Sequence, residues 1–418
     1  MMSEQQSRRH GNSTSPLKVT HTAGDARRGQ IEFDNTTLET PNLFPVINFY
    51  AGGTSNSLYG GGVHRTIKEF MVGHGDIGGG DYSEYFDCVM TSVSSLTDYN
   101  ITHERYQDYT AAPIRERDVF EGFDGTLFID SGGYKFLGDY ELDGSDFEVD
   151  IDQTKIYEIQ QKLGGDIFVN LDRPIAPDDS YEERVEKAER TAEYVAEFLR
   201  VSDQTESLRY LTLHGYNYAM LETFLEEIDD VLPIEFVHDE FDGVALGGLV
   251  PLKDNKGKLI TAIQECRAVL DDWGFDDLPL HVLGISSSAI PLLVAVGADT
   301  FDSSSYLHSA INGKYLTSLL GSQPLNETSF ESCDCPVCTD PELVSRMKGN
   351  VEYQKDKLGP VAMHNLIVQK REVRRLRERI ERPGSDGLVE YLESELGSTK
   401  SMRTFAHRVV NESLGGYF

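Results

Sequence analysis

The chain has 418 residues, enough for one large domain or two ordinary ones, and its five cysteines are too few and too clustered for a disulfide framework, which points to a reducing cytoplasm. No apolar run approaches the length of a membrane span and the N-terminus lacks the apolar core of a signal peptide, so no membrane partner is expected. Against 38 Lys plus Arg stand 70 Asp plus Glu, a net charge of −32 spread along the chain; this surface suits a salt-loving (halophilic) cell and argues against nucleic-acid binding except through a local basic patch.

Residues 1–37 open on a polar, aperiodic stretch and are read as a disordered tail. Short apolar runs then alternate with longer amphipathic stretches. The runs fall at residues 43–49, 126–130, 166–172, 209–214, 244–249, 281–285 and 300–302, and their near-continuous β-branched and aromatic content predicts strands buried on both faces. Between them lie helical patterns, such as the stripe Tyr181, Val185, Ala188, Ala192, Val195 and Phe198. Strand–helix alternation predicts an α/β fold with a parallel sheet. No Gly-x-Gly-x-x-Gly turn opens the first unit, which favours a closed (β/α)8 TIM-type barrel over residues 38–320. Residues 51–99, rich in Gly, Ser and Tyr without a clear period, are expected to form an inserted flap over the barrel mouth. A metal-binding subdomain is expected over residues 321–380 and a helical tail over 381–418.

The apolar runs end in residues that a core would not choose: Asp130, Asp172, His214, Gly247 with Gly248, and Asp302. These are C-terminal strand ends, where barrel enzymes carry their catalytic groups. One Asp there is ordinarily a helix N-cap; three Asp and a His on separate strands are harder to explain that way.

Cys333, Cys335 and Cys338 lie close together, and His364 follows in a helix-forming stretch. Three thiolates and one imidazole complete a tetrahedral zinc set with no position open to substrate, so the zinc expected here is structural. Beyond it, Arg371, Arg374, Arg375, Arg377 and Arg379 form the one dense basic stretch, read equally as a solvated helix face with ion-pair partners or as a phosphate contact.

Four of these segments together resemble the queuine and archaeosine tRNA-guanine transglycosylases. They are Asp130-Ser131-Gly132-Gly133-Tyr134, Gly247-Gly248-Leu249, Phe301-Asp302-Ser303-Ser304-Ser305-Tyr306 and the cysteine–histidine spacing. The resemblance implies base exchange: guanine leaves a nucleotide and a 7-deazaguanine base replaces it without backbone cleavage. It also implies that Asp302 is the nucleophile of a covalent glycosyl-enzyme and Asp130 the general acid/base, the chemistry of a retaining glycosidase. Asp172 is expected to read the N–H edge of guanine, and Gly247 and Gly248 to admit the base's exocyclic oxygen. Tyr134 and Leu283 are expected to sandwich the ring.

The chain also departs from that family. His214-Gly215 stands where the tRNA enzymes carry Gln-Gly, so an imidazole is expected to donate to the exocyclic oxygen; Lys135 replaces a Gln, and residues 303–312 contain no Arg. A chain ending at Phe418, without the further C-terminal domains of the archaeal tRNA enzymes, resembles the DNA-modifying branch that inserts 7-cyano-7-deazaguanine. DNA is therefore the favoured nucleic-acid partner, with tRNA the alternative. An inactive paralogue acting as a binding or partner subunit is a second alternative. A homodimer, or partner proteins of a modification system, would also be compatible with the resemblance.

Overall fold

The computed structural model describes residues 15–415 apart from 35, 52–58, 74–80, 97–102, 137–151, 233–236 and 286. Three antiparallel strands come first, β1 (Leu17–Ala23), β2 (Ala26–Glu32) and β3 (Thr37–Thr40). Eight parallel strands follow: β4 (Asn42–Pro45), β5 (Cys88–Ser92), β6 (Thr126–Asp130), β7 (Ile167–Val169), β8 (Leu208–His214), β9 (Gly243–Gly247), β10 (Leu280–Val282) and β11 (Thr300–Ser303). They pair in the order β4-β11-β10-β9-β8-β7-β6-β5, and a parallel bridge between Val46 and Met90 brings the two ends together. The expected (β/α)8 barrel is the fold observed.

Side chains alternate across each strand. Phe44, Met90, Phe128, Val169, Tyr210 and Ala245 fill the barrel interior, with Phe128 set edge-on to Phe44 at 5.8 Å and to Tyr210 at 5.7 Å between ring centres. Leu43, Val89, Leu127, Phe168, Leu211 and Val244 face the outer helices instead.

Two expectations are corrected. Residues 17–37 are not part of a disordered tail, because Leu17, Ile31 and Leu38 join the interior cluster and plug the barrel. Arg27 fastens this plug through Nε to Asp299 Oδ1 (3.1 Å) and Nη2 to Asp299 Oδ2 (2.5 Å), and Arg267 reaches the same carboxylate at 2.6 Å. The sequence concealed it because β1 exposes five consecutive residues between its buried ends, which leaves no alternation to read. Residues 1–14 lie outside the described residues.

The segment 51–99 is also not all insertion, since β5 within it is a barrel strand paired with β6 from Cys88–Thr126 to Ser92–Asp130. Its run is short and ends in hydroxyls, which hid it. The helix Val63–Met71 in the same segment buries Lys68, whose Nζ donates to the carbonyls of Phe49 (2.9 Å) and Ala51 (2.6 Å). The rest of the expected flap, residues 52–58, 74–80 and 97–102, lies outside the described residues.

After β11 the chain forms a two-stranded ribbon, β12 (Lys314–Leu316) and β13 (Ser322–Pro324), and then the long helix Leu358–Ile380. That helix packs on β4 and on the helices Val63–Met71 and Ser305–Ile311, so it belongs to the barrel's outer layer. Lys370 Nζ donates to Asn42 Oδ1 (2.8 Å) and Leu43 O (3.0 Å), and Arg377 donates to Pro41 O (2.8 Å). Since Pro41 and Asn42 stand at the start of β4, the basic half of this helix lies toward the barrel's N-terminal face.

Candidate active site at the C-terminal ends of the barrel strands

The eight residues expected to act on substrate meet in one cavity of about 210 Å³. Asp130, Tyr134, Asp172, His214, Gly247, Gly248, Leu283 and Asp302 all line it, joined by Ser92 and Gly284. The barrel accounts for this convergence. Parallel strands closed into one barrel bring their C-terminal residues to one rim, so Asp130 ends β6, His214 ends β8, Gly247 ends β9 and Asp302 lies near the end of β11.

Asp302 is buried, and its Oδ1 accepts from the backbone N–H of Gly284 (2.7 Å) and from His281 Nε2 (3.3 Å). The His281 ring is wholly buried between Phe44 and Phe128, and its Nδ1 meets Thr300 Oγ1 at 2.9 Å. Both contacts fall on one carboxylate oxygen, which orients the other. Sequence reasoning missed His281, because a histidine inside an apolar run reads as core. Its position two residues before Leu283 was the signal that it shared the site.

Asp130 accepts a 3.0 Å bond from the Gly132 N–H. Burial and, second, the neighbouring Asp172 carboxylate push its pKa up to about 7, against the Ser92 hydroxyl and the Gly132 N–H, which favour the charged form. Ser92 faces it across the β5–β6 ladder. A carboxyl group that holds its proton near neutral pH can both give and take one.

Asp172 is buried beside it, with Oδ2 2.7 Å from His214 Nε2 and Oδ1 3.3 Å from the Ser131 hydroxyl. His214 Nδ1 is buried with no hydrogen-bond partner among the described residues, so it is the ring nitrogen left to meet a substrate atom.

The glycines serve this packing. A Cβ on Gly133 would stand 2.4 Å from Asp172 Oδ1, and one on Gly247 would stand 2.7 Å from His214 Cε1. Gly248, at φ +76°, would place a Cβ 2.9 Å from His214 Nδ1. Tyr134 is 49% exposed at the mouth and Leu283 forms part of the wall.

The second expected centre is also assembled. One ligand atom from each of Cys333, Cys335, Cys338 and His364 lies within 4.8 Å of the others, and the three sulfurs stand 3.4–3.6 Å from His364 Nδ1. A tetrahedral ion with bonds of about 2.0–2.3 Å has ligand–ligand edges near these lengths, so the donor set fits a metal ion. His364 Nε2 is held by the Leu316 carbonyl at 2.8 Å and its ring stacks on Tyr315 at 3.8 Å.

With this geometry established, comparison with known proteins places the chain. The family model described as "Queuine tRNA-ribosyltransferase" matches residues 87–396. The chain belongs to this family. Among its relatives, the tRNA-guanine(15) transglycosylase of Haloarcula marismortui is 26% identical over 86% of this chain and 63% of its own length. That of Pyrococcus abyssi is 26% identical over 85% of the chain and 53% of its own length. That of Methanopyrus kandleri is 30% identical over 85% and 66%. The chain thus spans between half and two thirds of the length of these relatives. Among the described residues no helix is long and apolar enough to cross a membrane.

Proposed function

We propose that this barrel is a guanine transglycosylase, a pentosyltransferase that exchanges guanine in a polynucleotide for a 7-deazaguanine through a covalent glycosyl-enzyme. The observation that carries this reading is the meeting of Asp130, Asp172 and Asp302 in one cavity of a chain belonging to the family. The same meeting argues against an inactive paralogue, which would have no need of a proton-holding carboxyl beside a second carboxylate.

In this mechanism the free oxygen of Asp302 attacks the anomeric carbon of the ribose. The glycosidic C–N bond breaks, and Asp130 gives its proton to the departing guanine. The incoming base then attacks the same carbon, its N–H proton passes to Asp130, and the bond to Asp302 breaks, so configuration is retained. Gly284 N–H and His281 hold Asp302 in line from behind. Asp172 accepts from the ring and exocyclic N–H groups that distinguish guanine from adenine, and Tyr134 and Leu283 flank the flat ring. Cys333, Cys335, Cys338 and His364 would hold a structural zinc, which takes no part in these steps.

The polymer we assign is tRNA. The names of the relatives give it more support than the DNA favoured from the sequence. The target nucleotide must be unstacked to reach the cavity, at a cost of about a few kcal/mol.

The test is a trapped intermediate. Full-length protein incubated with labelled tRNA and quenched in denaturant should retain a covalent adduct, and Asp302→Asn should lower both adduct and guanine exchange at least ~10³-fold. An Asp302→Asn protein that exchanges at the wild-type rate, with deamidation excluded by mass spectrometry, sinks the mechanism.

A further inference from the structure

Beside the base cavity lies a second, larger one of about 500 Å³ that the mechanism above leaves unused. It opens between the loops that follow β7, β8 and β9, and its wall includes Arg184, Lys258 and Arg408. No carboxylate lines it among the described residues, although the chain carries 70 acidic residues against 38 basic ones. Arg184 has one hydrogen bond, from Nη2 to Pro177 O at 3.3 Å, while its Nε is buried without a partner among the described residues.

Two helices also start here, capped by Asn217 (Tyr218–Val231) and Asn255 (Lys256–Asp272). The first already has the Glu265 carboxylate on its Tyr218 N–H (3.1 Å), so the second is the positive helix end left to a ligand. Asp179 accepts from Lys187 Nζ (2.7 Å) and from the Ala176 N–H (2.6 Å). Arg408 is spent on Glu412 (2.8 Å), so Arg184 and Lys258 are the cations left to a ligand among the described residues.

Tyr216 joins the two cavities. It lines the second one, and its hydroxyl donates to the carbonyls of Ile175 (2.6 Å) and of Gly248 (3.0 Å), the latter on the base-cavity wall. Of the five arginines read from the sequence equally as an ion-paired face or a phosphate contact, four are spent on acids: Arg371 on Asp334 (2.6 Å), Arg374 on Glu84 (3.0 Å), Arg375 on Glu395 (2.5 Å) and Arg379 on Glu390 and Glu395 (3.0 and 2.9 Å), while Arg377 donates to Pro41 O (2.8 Å).

We propose that this second cavity is a phosphate subsite, which grips a backbone phosphate of the tRNA close to the nucleotide whose base enters the Asp130–Asp172–Asp302 cavity. The proposal rests on the base-exchange reading for its choice of polymer. It assigns affinity to Arg184, Lys258 and the N-terminal end of the helix Lys256–Asp272, and leaves base discrimination to the neighbouring cavity.

The experiment measures binding of the full chain to a fluorescent tRNA transcript between 0.2 and 1 M KCl, an interval set by about the range over which screening becomes strong. Arg184→Gln and Lys258→Glu should each weaken binding about tenfold at the low-salt end, and each should reduce the slope of log affinity against log salt by about one. Arg184→Lys should recover most of the affinity, the KM for free guanine should stay unchanged, and Arg374→Ala should bind as wild type does. Lys258 is exposed, so its substitution does not threaten folding. Wild-type affinity and slope in both Lys258→Glu and Arg184→Gln, or equal weakening by Arg374→Ala, overturns the subsite. If the wild-type protein instead prefers duplex DNA and these variants lose that binding, the phosphate subsite stands and the tRNA assignment falls. If the variants lose tRNA binding but wild-type protein exchanges no base, the subsite stands and the activity reading fails.

Discussion

Asp130 and Asp302 are both carboxylates at strand ends, and their surroundings set them apart. Asp302 accepts from a backbone N–H and meets an imidazole, whereas Asp130 is buried beside another carboxylate. With its pKa at about 7, Asp130 is largely protonated below that pH and able to donate. Formation of the glycosyl-enzyme in a single turnover should therefore fall about tenfold per pH unit as pH rises above 7, a slope absent in Asp130→Asn, which should be slow at every pH. The same shift has a stability consequence. A folded-state pKa above the ordinary 3.8 means that the folded protein binds this proton more tightly, so this group's contribution to stability is full below pH 3.8 and is lost as pH rises to about 7. Denaturant titrations of wild type and Asp130→Asn across that interval measure it, and parallel curves would remove Asp130 as the source.

Among elements, the segment that brings Cys333, Cys335 and Cys338 to His364 makes the strongest claim. Its parts (the ribbon β12–β13 and the helices Pro336–Thr339 and Pro341–Met347) are too short to hold together by their own backbone bonds. Four ligand atoms from two separate segments meet beside the buried Tyr315, Phe330, Val337, Leu343 and Met347, so a bound ion would add to their packing, and peptide zinc sites of this kind bind with about 10 kcal/mol or more. Chelation, or Cys335→Ala, should lower zinc content and melting temperature together. Elemental analysis finding no zinc in the purified protein would refute the assignment. The effect should extend to the catalytic rim, since the helix carrying His364 also packs on β4, and its Asn365 accepts from the Leu316 N–H at 2.8 Å.

At the scale of the whole molecule the barrel separates stability from chemistry. At the N-terminal face the buried Asp299 is bound by Arg27, Arg267 and the Leu280 N–H (2.8 Å), and the plug strands close the interior. Titratable strand ends and the two cavities occupy the opposite face. Over both lies a surface carrying −32 charges, whose mutual repulsion reaches about 10 Å at 0.1 M salt but only about 3 Å at 1 M. Raising KCl from 0.2 to 2 M should lift the melting temperature by at least about 5 °C, equivalent to roughly 4 kcal/mol for a chain of 418 residues. Sodium sulfate at matched ionic strength separates screening from general salting-out, and a melting temperature that falls with KCl would refute the reading of this surface as salt-adapted.

What the amino-acid sequence determined by itself was whatever depends on local period and spacing. Seven of the eight barrel strands were legible as apolar runs; Asp130, Asp172, His214 and Asp302 were legible as polar residues at or near their ends, and the metal set as three cysteines and a histidine at fixed intervals. What only the tertiary structure decided depends on residues remote in sequence. The strand β5 looked like loop until its ladder to β6 was formed, and the polar β1 became ordered through the barrel end it plugs. His281 and Asp302 are 21 residues apart and His214 and Asp172 are 42 apart, so neither pair leaves a local trace. The Arg371–Arg379 stretch, basic in sequence, is neutralised by acids brought from Glu84, Asp334, Glu390 and Glu395, while the second cavity draws Arg184 and Lys258 from two separate helices. Charge along a chain is set by composition, but the charge that a ligand meets is set by which side chains the fold leaves without a partner.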